Sequence, residues 1–159
     1  MAVTGYWYPK AFTKMGSATG YFDWVADSAS MKIALMNTAF TGANQSLSAA
    51  AVWSDVSAYE ASGTSYTGVA SNAGKTIGTT SLAAGSTSNK TVTYSSNATS
   101  TVWSTATIST CGAVVLKHAA ATSNSPVIFF LDFGGTQSPS AGDFTITWNT
   151  AGFATVVTA

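Results

Sequence analysis

The side chains most able to do chemistry are few and far apart. His118 is the single histidine and Cys111 the single cysteine, and the acids are limited to Asp23, Asp27, Asp55, Glu60, Asp132 and Asp143. A serine or cysteine nucleophile needs a base within hydrogen-bond reach, held in turn by a third group. His118 follows Lys117 at the end of a predicted strand and beside a polar loop, so it reads as a solvated strand-end histidine and not as a general base. No Gly-x-Ser-x-Gly elbow is present. A zinc site needs several Cys or His ligands at short spacing, which one of each does not supply. Asp23 and Asp27 bracket Trp24-Val25-Ala26 and invite a calcium reading, but turn residues in Asx geometry are the simpler account. Glycoside hydrolysis would need two acids converging in a cleft, which so few acids give little reason to expect. The chain is therefore expected to be no enzyme, with no catalytic residue, no metal and no cofactor.

Gly74-Lys75-Thr76 ends like a phosphate-binding loop, but the full pattern requires glycine at position 69, where Val69 stands. The surroundings read as a loop entering a strand, without the following helix whose N-terminus would receive phosphate. Aromatic residues point elsewhere. Trp24, Trp53, Trp103 and Trp148 lie within or beside predicted elements and read as packing residues, whereas Tyr6, Trp7 and Tyr8 crowd a terminal segment. Those three either fold back over the domain or anchor on a neighbouring subunit. Tyr6, Trp7, Tyr8 and Phe12 are accordingly the candidate contacts with a neighbouring subunit.

The elements that position these residues read as all-β. Short runs of Thr, Val, Ile, Tyr, Phe and Trp alternate with Ser, Gly and Asn, and no long amphipathic helix is visible. Met31/Ile33/Leu35 against Lys32/Ala34/Met36, and Phe144/Ile146/Trp148 against Asp143/Thr145/Thr147, predict half-buried strands with one wet face each. Cys111 to Lys117 and Val127 to Phe133 are apolar on both faces and predict central strands, joined by a loop over Ala119 to Pro126. Weaker Thr-rich strands are expected at Lys75 to Leu82, Lys90 to Ser95, Thr99 to Ile108 and Phe153 to Thr158. Helical turns are expected at Pro9 to Met15, with proline at its start and Gly16 past its end, and at Ala49 to Val56. About eight strands at this spacing predict a single-domain β-sandwich or jelly-roll-like barrel over 21–159, preceded by an N-terminal arm and short helix over 1–20.

Composition narrows the partners. Only 8% of the 159 residues are charged, against roughly 25% in ordinary domains, while 46% are hydrophobic. All six basic residues are lysines, the formal net charge is zero, and arginine is absent. Scattered lysines without the guanidinium fork make nucleic acid an unexpected partner. A nearly uncharged surface repels its own copies poorly, which favours life inside an assembly. The lone Cys111 reads as a small buried hydrophobe. No membrane span and no signal peptide are expected, so the chain is read as made in the cytoplasm and soluble.

With the residues laid out, the sequence resembles a family of small virion structural proteins of tailed bacteriophages, some of them capsid decoration (cement) proteins. The resemblance covers most of the chain. It is carried by Phe22-Asp23-Trp24, Met31-Lys32-Ile33-Ala34-Leu35-Met36, Trp53-Ser54-Asp55-Val56 and Glu60-Ala61-Ser62-Gly63-Thr64-Ser65-Tyr66-Thr67. It continues through Ala113-Val114-Val115-Leu116-Lys117, Pro126-Val127-Ile128-Phe129-Phe130-Leu131-Asp132-Phe133-Gly134 and Gly142-Asp143-Phe144-Thr145-Ile146-Thr147-Trp148. Between Ser86 and Ser104 this chain has Ser and Thr where the family is richer in acids. The resemblance implies a location on the phage head surface, with the major capsid protein and copies of itself as partners. A tail-associated or receptor-binding protein that meets host glycans is the alternative expectation.

Overall fold

The computed structural model describes residues 4–11, 23–41, 51–69, 74–84, 91–96, 100–119, 121–149, 152 and 154–157. The protein is an all-β sandwich-like single domain. Its larger sheet has the order β1 (Thr4–Trp7), β9 (Val127–Gln137), β8 (Thr110–Lys117), β2 (Met31–Met36) and β4 (Lys75–Thr76), with every neighbouring pair antiparallel. Two three-stranded sheets oppose it. One orders β10 (Gly142–Thr147), β7 (Ser100–Ile108) and β3 (Gly63–Thr64); the other orders β11 (Ala154–Val157), β6 (Thr91–Ser96) and β5 (Thr80–Ala84).

β8 and β9 are central because their sequences are apolar at odd and even positions alike, and Ala113 to Leu116 and Val127 to Leu131 are all buried. Ile33 and Leu35 of β2, Ala113 and Val115 of β8, and Phe129 and Leu131 of β9 pair in register and therefore share one face. That face meets both small sheets. Phe129 lies 5.4 Å from Trp7, which lies 4.7 Å from Tyr94 of β6, while Phe133 reaches Phe144 of β10 at 5.8 Å. On the other face Phe130 packs edge-on against Phe40 at 5.2 Å, and Phe40 continues to Tyr59.

A two-stranded ribbon carries the chain from one sheet to the next. Ser109 alone separates β7 from β8, and Ser138–Ala141 separate β9 from β10. Across the corner the Ile108 N–H donates to the Pro139 carbonyl at 3.3 Å, and the Ala141 N–H donates to Thr107 Oγ1 at 2.9 Å. Bulges adjust the twist on either side. In β7 the pairs Gly142/Ala106 and Phe144/Trp103 leave Ser104 and Thr105 opposite Asp143, whose carboxylate accepts the Thr105 N–H at 3.0 Å. Thr105 there takes a φ of +50°.

The central strands and the Asp143/Thr145/Thr147 outer face follow the sequence pattern. β2 departs from it. Ala34 and Met36, expected on a wet face, are fully buried, because they continue the layer of Val114 and Phe130 that Phe40 covers. The single strand expected from Lys75 to Leu82 is two. Gly78, at φ +88°, turns the chain so that β4 joins the large sheet and β5 a small one. Residues 4–7, read from sequence as part of an arm, form a sheet strand, with Thr4, Gly5, Tyr6 and Trp7 opposite Asp132, Leu131, Phe130 and Phe129. Helical backbone follows at 9–11, and the rest of that expected turn lies outside the described residues. At the second expected helix, tight 3-10 turns occupy Trp53–Asp55 and Ser57–Tyr59.

Candidate interaction surface

β1 presents its residues in sharply different ways. Tyr6 keeps 43% of its surface exposed, beside exposed Thr4 and Gly5. Trp7 is half-buried against Tyr94 and Phe129, and Tyr8 is fully buried. Phe12 lies outside the described residues. Of the four candidate contacts, then, Tyr6 offers a ring to a neighbour, while Trp7 and Tyr8 tie β1 to its own domain.

Beside β1 a groove of about 690 Å³ runs between the two sheets. Gly5, Leu131 and Phe133 form one wall and consecutive residues of β10, from Asp143 to Thr147, form the other, with Trp148 and Asn149 at its end. Sequence reading missed this groove, since Gly5 lies more than a hundred residues from the other segments that line it. Gly5 was the available signal, because glycine in a strand often marks a close approach by another group. A Cβ added at Gly5 would meet only Leu131 Cδ2, at 3.8 Å. Trp148 is nearly buried, and its indole N–H donates to Thr101 Oγ1 at 3.0 Å.

The chemistry-bearing residues are placed apart. Asp23 Oδ1 accepts the N–H groups of Val25 and Ala26, both at 2.9 Å, and Asp27 Oδ2 accepts the Asp23 N–H while pairing with Lys117 Nζ at 2.8 Å. This is the Asx geometry expected of a turn, and the donated bonds from Ala26 and Val25 hold the Asp23 carboxyl below its usual range. Asp55 is lowered similarly by the Ala51 and Val52 N–H groups. His118 is half-buried just past β8, with Nε2 3.2 Å from Thr122 Oγ1. Cys111 is half-buried rather than fully enclosed, and its thiol donates to the Asn37 carbonyl at 3.1 Å. Burial, and then the charge of Asp132, raise its pKa, so it stays a thiol where a nucleophile would need thiolate. Gly74 packs against Val69 so closely that a Cβ would come within 2.8 Å of Val69 Cγ2, so this glycine serves packing at the start of β4. Among the described residues no three of His, Cys, Asp and Glu gather, and no helix is long and apolar enough to cross a membrane.

One polar cluster lies inside the fold. Tyr66 Oη accepts the Leu35 N–H at 3.0 Å and donates to Glu60 Oε1 at 3.0 Å, while Glu60 Oε1 also takes the Val69 N–H at 2.7 Å. Tyr66 thereby satisfies a strand N–H at the point where β2 runs past the end of β4. Tyr8 differs, since its hydroxyl has no hydrogen-bond partner among the described residues. Burial raises both phenols well above the ordinary value of 10.0, and the Glu60 charge adds to the effect at Tyr66.

A contrast follows. Tyr66→Phe is expected to cost about 1–3 kcal/mol because it orphans the Leu35 amide, whereas Tyr8→Phe should change stability by less than about 1 kcal/mol. Because both folded pKa values are raised, the stability each phenol supports is complete below pH 10 and is lost as pH climbs past the unfolded value. Tyr8→Phe should therefore reduce the loss of stability between pH 7 and strongly alkaline solution. Urea unfolding at both pH values measures this, and equal costs for the two variants at neutral pH would refute the assignment of the hydrogen bonds.

No protein-family model, curated protein or solved structure matches the chain.

Proposed function

We propose that the protein is a phage capsid decoration protein that binds the outer head shell and stabilises contacts between capsomers. The observation that carries this reading is Tyr6, an aromatic ring 43% exposed on an uncharged strand that is fixed in a rigid sheet. Aromatic anchors on rigid supports lose little conformational entropy when they dock, and a zero net charge opposes neither capsid nor copy. The resemblance to tailed-phage virion proteins supplies the assembly. Such a protein acts by mass action, since binding the assembled lattice and not its free subunits lowers the free energy of the lattice.

Purified protein added to heads that lack it is expected to co-sediment with them and raise their temperature of heat disruption, and Tyr6→Ser to lower occupancy. Labelling confined to the tail, or heads that neither bind the protein nor gain heat resistance, would overturn the reading.

The groove favours a second reading, a virion protein that contacts host glycans. Gln137, Asp143 and Asn149 put polar groups around half-buried Phe144, the mix of apolar wall and few polar groups typical of small-ligand sites. Glycan-array binding that Phe144→Ala abolishes would support it; a blank array would dismiss it.

A further inference from the structure

We infer that the groove beside β10 takes an extended polypeptide segment of a partner, apolar at alternate residues and basic where it passes Asp143, which adds as a strand to the free edge of β10. This rests on the assembly reading above and names the chemistry of the segment that a partner contributes.

β10 ends the order of its small sheet and pairs with β7 alone. The Ile108 N–H donates to the Pro139 carbonyl on the β10 side of β7, so Ala106, two residues away, turns its main-chain groups the same way, towards Gly142. The extra residue of the bulge belongs to β7, so alternation along β10 is unbroken and directs the N–H and C=O of Thr145 and Thr147 away from β7. Neither threonine has a hydrogen bond to any described residue outside that ladder. Consecutive residues from Asp143 to Asn149 line the groove, whichever face of the sheet their side chains take. A wall built from both parities is the edge of a strand, so these outward main-chain groups lie along the groove.

The rest of the lining specifies the segment. Leu131, Phe133, Phe144, Ile146 and Trp148 supply apolar surface between the sheets, while Thr145 and Thr147 are exposed on the outer face. In a strand added beside β10, residues opposite Phe144 and Ile146 point their side chains inward, and those opposite Thr145 and Thr147 point outward and bond through their main chain. The wall from Asp143 to Asn149 is about 20 Å long at the rise of a strand, which suits a segment of about six residues. Asp143 is the one charged residue among those lining the groove, so its end favours a basic side chain and disfavours an acidic one. An antiparallel segment, the commoner and slightly stronger arrangement, brings its C-terminal end there. Main-chain bonds then supply affinity and the inward side chains selectivity, as in domains that accept a peptide as an added strand. A saccharide offers no row of alternating N–H and C=O groups to match such an edge.

Fluorescence polarisation with the full chain tests this. The probe is the amidated hexapeptide Val-Thr-Val-Thr-Val-Lys with fluorescein at its N-terminus, which sets valines inward and its lysine opposite Asp143. It is expected to bind, and the counterpart ending in Glu to bind about fivefold more weakly. Asp143→Asn, which keeps an acceptor for the Thr105 N–H, should make the two peptides equal. N-methylation of the threonines, whose N–H groups face β10, should abolish binding, whereas N-methylation of the valines, whose N–H groups face away, should leave it. No binding of the lysine peptide, equal binding of the two methylated forms, or a glycan that occupies the groove while every peptide fails would overturn the inference. Head binding without peptide binding would count against the added strand alone, and peptide binding without head binding against the decoration reading alone.

Discussion

Replacing Trp103 by alanine is expected to lower the unfolding free energy by about 4 kcal/mol, a large part of the roughly 5–15 kcal/mol that holds a domain together. Trp103 is 1% exposed and stands between Tyr66, at 6.2 Å, and Phe144, at 5.9 Å, where β7 faces the large sheet. Alanine would leave an indole-sized void that neighbours held by the β7–β10 ladder cannot close. Trp103→Phe should cost far less. The indole N–H has no hydrogen-bond partner among the described residues, so losing it restores part of what the smaller ring gives up in contact. Urea midpoints for the two variants measure the difference. A Trp103→Ala protein as stable as the parent would mean that the small sheet does not pack on the large one as described.

Gly112→Ala is expected to be nearly as damaging, about 3 kcal/mol, although it adds a single methyl group. Gly112 is the third residue of β8, between Met36 and Asp132, and a Cβ there would come within 2.4 Å of Phe130 Cε2 and 2.5 Å of the Leu131 carbonyl oxygen. The Phe130 ring fills the place of the missing side chain and is itself held by Phe40. Neither the ring nor the backbone can yield without disturbing a central pair of strands. Gly5→Ala is the natural comparison, because its open surroundings predict a change of less than about 0.5 kcal/mol. If the two glycine variants unfolded at the same urea concentration, the packing of Phe130 over β8 would be wrong.

How much of this could be read from sequence depended on whether the deciding force was local. The runs Ala113 to Leu116 and Val127 to Leu131 announced buried central strands, because their composition leaves no face that water would suit. The alternation of Phe144, Ile146 and Trp148 with Asp143, Thr145 and Thr147 likewise specified which side of β10 is wet. Ala34 and Met36 misled because a lysine at position 32 suggested solvent, whereas the covering ring, Phe40, belongs to the next connection. Tyr6, Trp7 and Tyr8 left two outcomes open because their partner strand lies more than a hundred residues away, and no local pattern encodes a distant pairing. The candidate surface was legible to the extent of Tyr6, and the groove beside it was not. Glu60 and Tyr66 show the same limit: six residues apart in a loop, they carry no period, yet together they satisfy two backbone amides.

The pairing of β1 with β9 also sets an order of events during synthesis. Residues 4–7 leave the ribosome before Phe129 to Asp132, against which they lie, have been made. Through most of translation the strand has no place to dock, and Trp7 and Tyr8 have no core to enter. Closing so long a loop is slow compared with forming the ribbon around Ser109 and Ser138, whose strands are neighbours in the chain. β1 is thus among the last strands to be set in place, and the flank of β9 that it covers is open meanwhile to the same four residues of another nascent copy.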